Sequence, residues 1–260
     1  MNGFRRTYFV SHGSPMLAVD PGATGEFWKK LGRELPRPHS ILAVSAHWTT
    51  REPTVGAAPR NATIHDFYGF PEPLYRIRYD APGAPGLAER VAALLEAAGI
   101  PVHLDAERGL DHGAWVPLQS MYPEADLPVT QLSVQPLHDA RWHVRLGAAL
   151  RPLKDEGVLV LASGGAVHNL REMAREGGPT PAWARNFDDW LAATLAKGDE
   201  PSFLDWERTA PDARRAQPTP EHFLPIFVAY GAAGEHPAAR RINQGFTLGS
   251  MSMAAYEFAA

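Results

Sequence analysis

The sequence predicts an α/β fold: a single domain over residues 1–260 with a central, largely parallel sheet flanked by helices. Three observations lead there. Strand-like apolar runs alternate with helical runs along the whole chain. The run at 40–46 (SILAVSA) is continuously apolar, as in a strand covered on both faces, and 157–165 (GVLVLASGG) is the most hydrophobic strand of all. His12, His47 and His168 each follow such a strand closely, and strand ends in α/β sheets converge on the edge where ligands bind.

Taken in order, RTYFVS (6–11) forms the first strand and leads into His12-Gly13-Ser14-Pro15. Residues 23–35 predict a helix with Phe27, Trp28 and Leu31 on one face. The strand 40–46 ends at His47-Trp48. Residues 51–81 lack a clean period and read as a long ordered loop with a short strand, YRIRY. The segment 86–100 is an amphipathic helix through Leu87, Val91, Leu94 and Leu95, followed by a short strand near PVHLD. GLDHGAWVPLQSMYP reads as a turn-rich loop, 128–135 (PVTQLSVQ) as a strand and 138–157 as a helix. After the strand 157–165 come helices at 181–198 and 222–234, the latter with Pro225 tolerated in its first turn. GFTLGSMSMAAYEF alternates and predicts a final strand.

Composition narrows the function. The chain has 260 residues and 45% hydrophobic content, enough for a sizeable core. A net charge of −4 with no basic patch argues against a nucleic-acid partner. There is no cysteine, so no disulfide forms and any metal must be held by nitrogen and oxygen ligands. No apolar run reaches the roughly 18 residues of a membrane span, and no signal peptide is recognisable. The expectation is a soluble cytoplasmic protein with no membrane partner; the sequence assigns no oligomeric state.

The eleven histidines divide by context. His39, His103, His138, His143 and His236 lie in polar loops or on elements that look exposed, and His65 sits in an aromatic loop. His12 and His47 follow strong strands directly and are flanked by small or turn-forming residues. Rigid strand ends can hold neutral imidazoles at metal-ligand distance. His222, in PTPEHFLP, could complete a three-point site, with Glu221 as the rival third ligand. A two-histidine, one-carboxylate face suits non-haem Fe(II). His168 follows Gly164-Gly165 and could serve as general base or fourth ligand. His112 could donate to a bound oxygen or buttress its loop.

The segments SHGSP (11–15), SAHW (45–48), HDFYGFP (65–71), DHGAWVPL (111–118), QLSVQ (131–135), SGGAVHNL (163–170) and EHFLP (221–225) together resemble the class III extradiol ring-cleaving dioxygenases of the LigB type, 4,5-DOPA dioxygenase branch. The resemblance runs over nearly the whole chain. It implies one divalent metal ion held by His12, His47 and His222, with His168 as acid/base or additional ligand and His112 close to substrate and oxygen. The implied substrates are a small-molecule catechol and O2. A glutamate fills the third ligand position in the protocatechuate enzymes; an all-histidine face suits Zn(II) as well as Fe(II). Phe67, Tyr68 and Trp115 offer walls for a flat ring. Arg76, Arg78 or Arg185 could pair with a substrate carboxylate, or simply be solvated. The competing readings are a zinc-dependent hydrolase on the same histidines and a non-catalytic binding module.

Overall fold

The computed structural model describes residues 4–174 and 177–260. Its strands are β1 (Arg6–Ser11), β2 (Ser40–Thr49), β3 (Thr54–Gly56), β4 (His103–Asp105), β5 (Val129–Val134), β6 (Val158–Gly164), β7 (Ala238–Asn243), β8 (Phe246–Thr247), β9 (Met251–Ser252) and β10 (Ala255–Ala259). The helices are α1 (Gly22–Glu34), α2 (Glu72–Tyr75), α3 (Pro85–Ala97), α4 (His112–Met121), α5 (Ala140–Ala149), α6 (Ala182–Lys197), α7 (Glu200–Leu204), α8 (Trp206–Thr209), α9 (Ala213–Ala216) and α10 (Leu224–Ala233).

Eight strands form one sheet in the order β4-β3-β5-β2-β6-β1-β10-β7. The central four, β5, β2, β6 and β1, are mutually parallel. Antiparallel pairing enters only towards the edges, at β3 against β5, and at β10 against β1 and β7. The expected largely parallel sheet is therefore present at the centre, where β5 and β6 are buried throughout.

Alternation along these strands feeds two cores. Leu42, Val44, Leu132 and Val160 face the side packed by α3, α5 and α10, whose own ten residues are all buried. Ile41, Ala43, Leu159 and Leu161 face the side packed by α1 and α4, through Trp28 and Trp115. Large apolar side chains on both faces explain why the central strands read as unbroken hydrophobic runs.

The register places the functional edge. Ser11 stands opposite Gly164, and Ser45 opposite Ser163. The carboxyl ends of β1, β2 and β6 are thus level, and His12 and His47 emerge one and two residues beyond that line. Pairing of β2 with β5 shifts between Val44 and Thr49, an irregularity that spans His47.

Several expectations are corrected. GLDHGAWVPLQSMYP is not a loop: α4 starts at His112, capped by the Asp111 carboxylate accepting from the Ala114 amide. Asp-His-Gly and the interior Pro117 mimic a turn, yet all but two of the ten residues in α4 are buried, and packing overrides propensity. YRIRY is not a strand, since Tyr75 closes the short α2. The α5 helix ends at Ala149, and Pro152 continues it only as a 3-10 turn. The C-terminal run is not one strand but β8, β9 and β10. Strand β7 lacks an alternating apolar signal because it is a half-exposed edge, held through Arg240 on Glu257 and Arg241 on Asp188. No helix among the described residues is long and apolar enough to cross a membrane.

Candidate metal centre

Three imidazoles meet at the level edge. His47 Nε2 lies 3.0 Å from His12 Nε2 and 3.2 Å from His222 Nε2. His12 and His222 are buried, and His47 keeps 22% of its side chain exposed, so the cluster is open on one side. Separations of this size match donors on a shared ion: bonds of about 2.1 Å place neighbouring nitrogens roughly 3.0–3.4 Å apart.

The outer nitrogens of the same rings are already occupied. His12 Nδ1 is 3.0 Å from Ser163 Oγ, His47 Nδ1 is 3.3 Å from Asp66 Oδ2, and His222 Nδ1 is 3.3 Å from Glu221 Oε1. Carboxylate oxygens beside the Nδ1 atoms of His47 and His222 favour the proton there and turn the Nε2 lone pairs inward. One proton could bridge a single pair of these nitrogens but would leave the third facing a lone pair. A divalent cation serves all three, so the residues present fit a metal ion bound by nitrogen.

Electrostatics agree. Burial, then the neighbouring histidines, pushes His12 and His47 well below the ordinary imidazole range. Burial also depresses His222, against the opposing pull of Glu221. Neutral imidazole is the ligating form. Burial raises the Glu221 carboxyl, but hydrogen bonds from His222 and Thr219 outweigh it and bring the group down to about 2. Asp66 is likewise held below its usual value: burial opposes ionisation, and His112 more than compensates.

His168 lies flat on His222, ring centroids 3.4 Å apart and planes within 6°. It stands outside the ion-sized group of His12, His47 and His222. Its backbone amide donates to the Ala216 carbonyl, and burial takes its ring down to about 3. His112 stands at the first turn of α4, 3.9 Å from the His47 ring. Its Nδ1 is 3.0 Å from Asp66 Oδ1, which also accepts from the His112 amide. Asp66 thus stands behind two histidines at once. His47, Asp66 and His112 also form a close group of possible donors.

The scaffold leaves little slack here. A Cβ on Gly113 would come within 2.5 Å of Ser45 Oγ and 3.2 Å of His12 Nδ1. A Cβ on Gly164 would meet the His222 carbonyl at 2.1 Å, the same oxygen that accepts from the Gly165 amide. Both glycines are required by close approach and not by backbone conformation. Asp111, fully buried, accepts from Ser45 Oγ, Arg108 and Gln131.

Other candidates fall elsewhere. Glu221 lies behind His222 and not among the converging nitrogens. Trp115 is core, its indole nitrogen donating to the Ile64 carbonyl; Tyr68 is 90% exposed; Phe67 packs edge-on to His112. His65 ties the aromatic loop through the Ile77 carbonyl. Arg76, Arg78 and Arg185 are exposed, Arg76 paired with Glu72 and Arg185 donating to the Thr180 carbonyl. His143 is buried, not exposed, and bonds Asp139 and Gln135 of its own turn. Asp66 and Ser163 escaped sequence reasoning, although both lie inside quoted motifs and Asp66 follows His65 directly.

A parallel α/β sheet that delivers clustered, neutral imidazoles to the carboxyl ends of its strands is an enzyme scaffold with its site at the strand edge. The family described as the catalytic LigB subunit of aromatic ring-opening dioxygenase matches residues 6–259. A relative named 4,5-DOPA dioxygenase extradiol from Beta vulgaris is 45% identical, over 99% of this chain and 97% of its own. One of the same name from Escherichia coli K12 is 43% identical over 94% and 91%. The crystal structure of an uncharacterized Escherichia coli K12 protein superposes with a TM-score of 0.81 at 36% identity, covering 97% of this chain and 99% of that one. This chain belongs to the LigB family of extradiol aromatic ring-opening dioxygenases.

Proposed function

We propose that the chain binds one divalent ion, Fe(II) or Zn(II), through His12, His47 and His222, and uses O2 to open a DOPA-like catechol beside its diol, giving a muconate-type semialdehyde. The observation that carries this reading is the meeting of three Nε2 atoms, that of His47 lying 3.0 and 3.2 Å from those of His12 and His222, with an oxygen beside each Nδ1. The substrate class is supported by relatives named 4,5-DOPA dioxygenase extradiol.

Fe(II) would supply Lewis acidity towards the catechol oxygens and a path for electrons between ring and oxygen. The remaining work falls to the chain. His168, neutral at physiological pH, accepts a proton from a catechol hydroxyl and returns it when the ring opens. Its stacking on His222 keeps it beside the metal ligands without competing for their place. His112 is positioned by its backbone amide, which donates to Asp66 Oδ1, and with a proton on Nε2 its ring serves as a preorganised donor to the reacting oxygens. Both atoms of O2 end in the product, one as aldehyde or enol oxygen and one as carboxylate.

The test is anaerobic incubation of Fe(II)-loaded protein with a catechol panel that includes DOPA, followed by admission of oxygen. A yellow product with one O2 consumed per ring is expected. Equal turnover without oxygen would overturn ring cleavage in favour of hydrolysis.

A further inference from the structure

Pro117 has no amide hydrogen. In α4 (His112–Met121) its missing donor is the one that would bond the carbonyl four residues back, that of Gly113. The Gly113 carbonyl is instead satisfied from outside the helix, by the hydroxyl of Ser163 at the end of β6. A carbonyl only accepts, so the single hydroxyl proton of Ser163 is committed there. The same oxygen lies 3.0 Å from His12 Nδ1, where it can only receive. His12 must therefore carry its proton on Nδ1 and present a bare lone pair at Nε2.

We propose that Pro117, Gly113 and Ser163 form a one-way hydrogen-bond relay that fixes His12 as the Nδ1–H tautomer, with Nε2 bare for metal binding and with Ser163 and Pro117 as positioning residues. This deepens the reading of His12 as a ligand and rests on it. The group is buried: Ser163 and His12 are 1% exposed and Pro117 lies among the buried residues of α4, so bulk water does not substitute for the relay. The other two ligands have carboxylates behind Nδ1, which accept by nature. A serine hydroxyl does not: free to rotate, it would donate to His12 Nδ1 as readily as accept from it. The proline removes that freedom from a distance, by leaving Gly113 in need of a donor.

The relay makes a prediction that ordinary packing does not. Pro117→Ala supplies Gly113 with an amide donor, so its carbonyl no longer depends on the Ser163 proton and the wrong His12 tautomer becomes accessible. The mutant helix should be at least as stable as wild type, yet the metal should bind more weakly. Zn(II) and Co(II) affinities, measured by competition with a chromogenic chelator on the full chain, read this directly; metal-free thermal unfolding reports fold integrity. Ser163→Ala is expected to weaken binding by about 10–100-fold, the usual consequence of losing a ligand's outer partner. Pro117→Ala is expected to weaken it less, and to have no further effect in the Ser163→Ala background, because it acts through the same hydroxyl. Unchanged affinity in either single variant, or additive losses in the double variant, would overturn the relay. His12→Ala separates this from the functional reading. If that variant keeps full affinity, His12 is no ligand and both fail. If it loses the metal while Ser163→Ala and Pro117→Ala keep it, only the relay fails.

Discussion

His12 and His47 reach the site on or directly after strands of the parallel core, whereas His168, past the end of β6, and His222, on a segment returning to the sheet before α10, reach it outside the strands. The first pair is set by register: Ser11 level with Gly164, and Ser45 level with Ser163, put both rings at one edge without help from any loop. The second pair is set by single hydrogen bonds over long stretches of chain. The Gly165 amide donates to the His222 carbonyl, the His168 amide to Ala216, and Gln217 to the carbonyls of Gly165 and Ala166. The strand-held imidazoles are backed by the whole core, while the other two depend on a few groups that fit only one way. The fold thus sets one half of the site by strand register and the other by a few long-range hydrogen bonds.

The sharpest test of the contrast is to remove one ring from each half. His47→Ala takes a nitrogen out of the cluster at its centre, within 3.2 Å of both other Nε2 atoms, and purified protein should retain no metal by elemental analysis. His168→Ala removes a ring that only stacks on His222, so metal content should stay near wild type while turnover falls by about 10²–10⁴-fold, the range for loss of a general acid–base group. Metal lost equally from both variants would erase the distinction and make His168 a ligand.

The half set by strand register is the legible half. Continuous apolar runs announce β2 and β6, and a histidine after such a run needs no tertiary knowledge to be placed at the sheet edge. His222 and His168 could be named from the sequence, but their stacking could not, because it depends on hydrogen bonds spanning about fifty residues to Ala216 and Gln217. The start of α4 was hidden for a different reason. Asp111, Gly113 and Pro117 carry turn chemistry, and here that chemistry serves a helix cap, a close approach to Ser45 and a Gly113 carbonyl left to accept from Ser163. Asp66 and Ser163 were invisible because a polar residue's role as an outer partner lies in what it faces, not in its neighbours in sequence. Local rules fail at the site because several residues there answer to tertiary contacts.

A smaller perturbation probes the returning half without touching a ring. Gly164→Ala would push a methyl group to 2.1 Å from the His222 carbonyl, at a point where backbone must move. Overpacking of this kind costs about 1–3 kcal/mol, so metal-free thermal unfolding should shift down accordingly. The displaced carbonyl belongs to His222, a proposed metal ligand, and affinity should fall with it. Stability lost with affinity intact would mean that His222 is held by something other than its contact with β6.

The mildest test is acid. His168 is taken down to about 3, and His12, His47 and His222 are depressed as well, all chiefly by burial. Each ring accepts a proton more readily in the unfolded chain, near pH 6.5, than in the fold. Their contribution to stability is therefore complete above about pH 6.5 and is lost as pH falls from there towards the folded values. Each proton taken up only on unfolding costs up to about 1.4 kcal/mol per pH unit. Metal-free protein should show a falling unfolding midpoint between pH 7 and 5. His143, depressed to about 4 in its own buried turn, adds to the slope from outside the site. The informative quantity is thus the difference between variants. His168→Ala should flatten the profile by the share of one ring on the returning half, while His143→Ala flattens it without altering metal affinity. A profile unchanged by His168→Ala would mean that this ring is solvated in the metal-free protein, and the closing half of the site would then be open until the ion arrives.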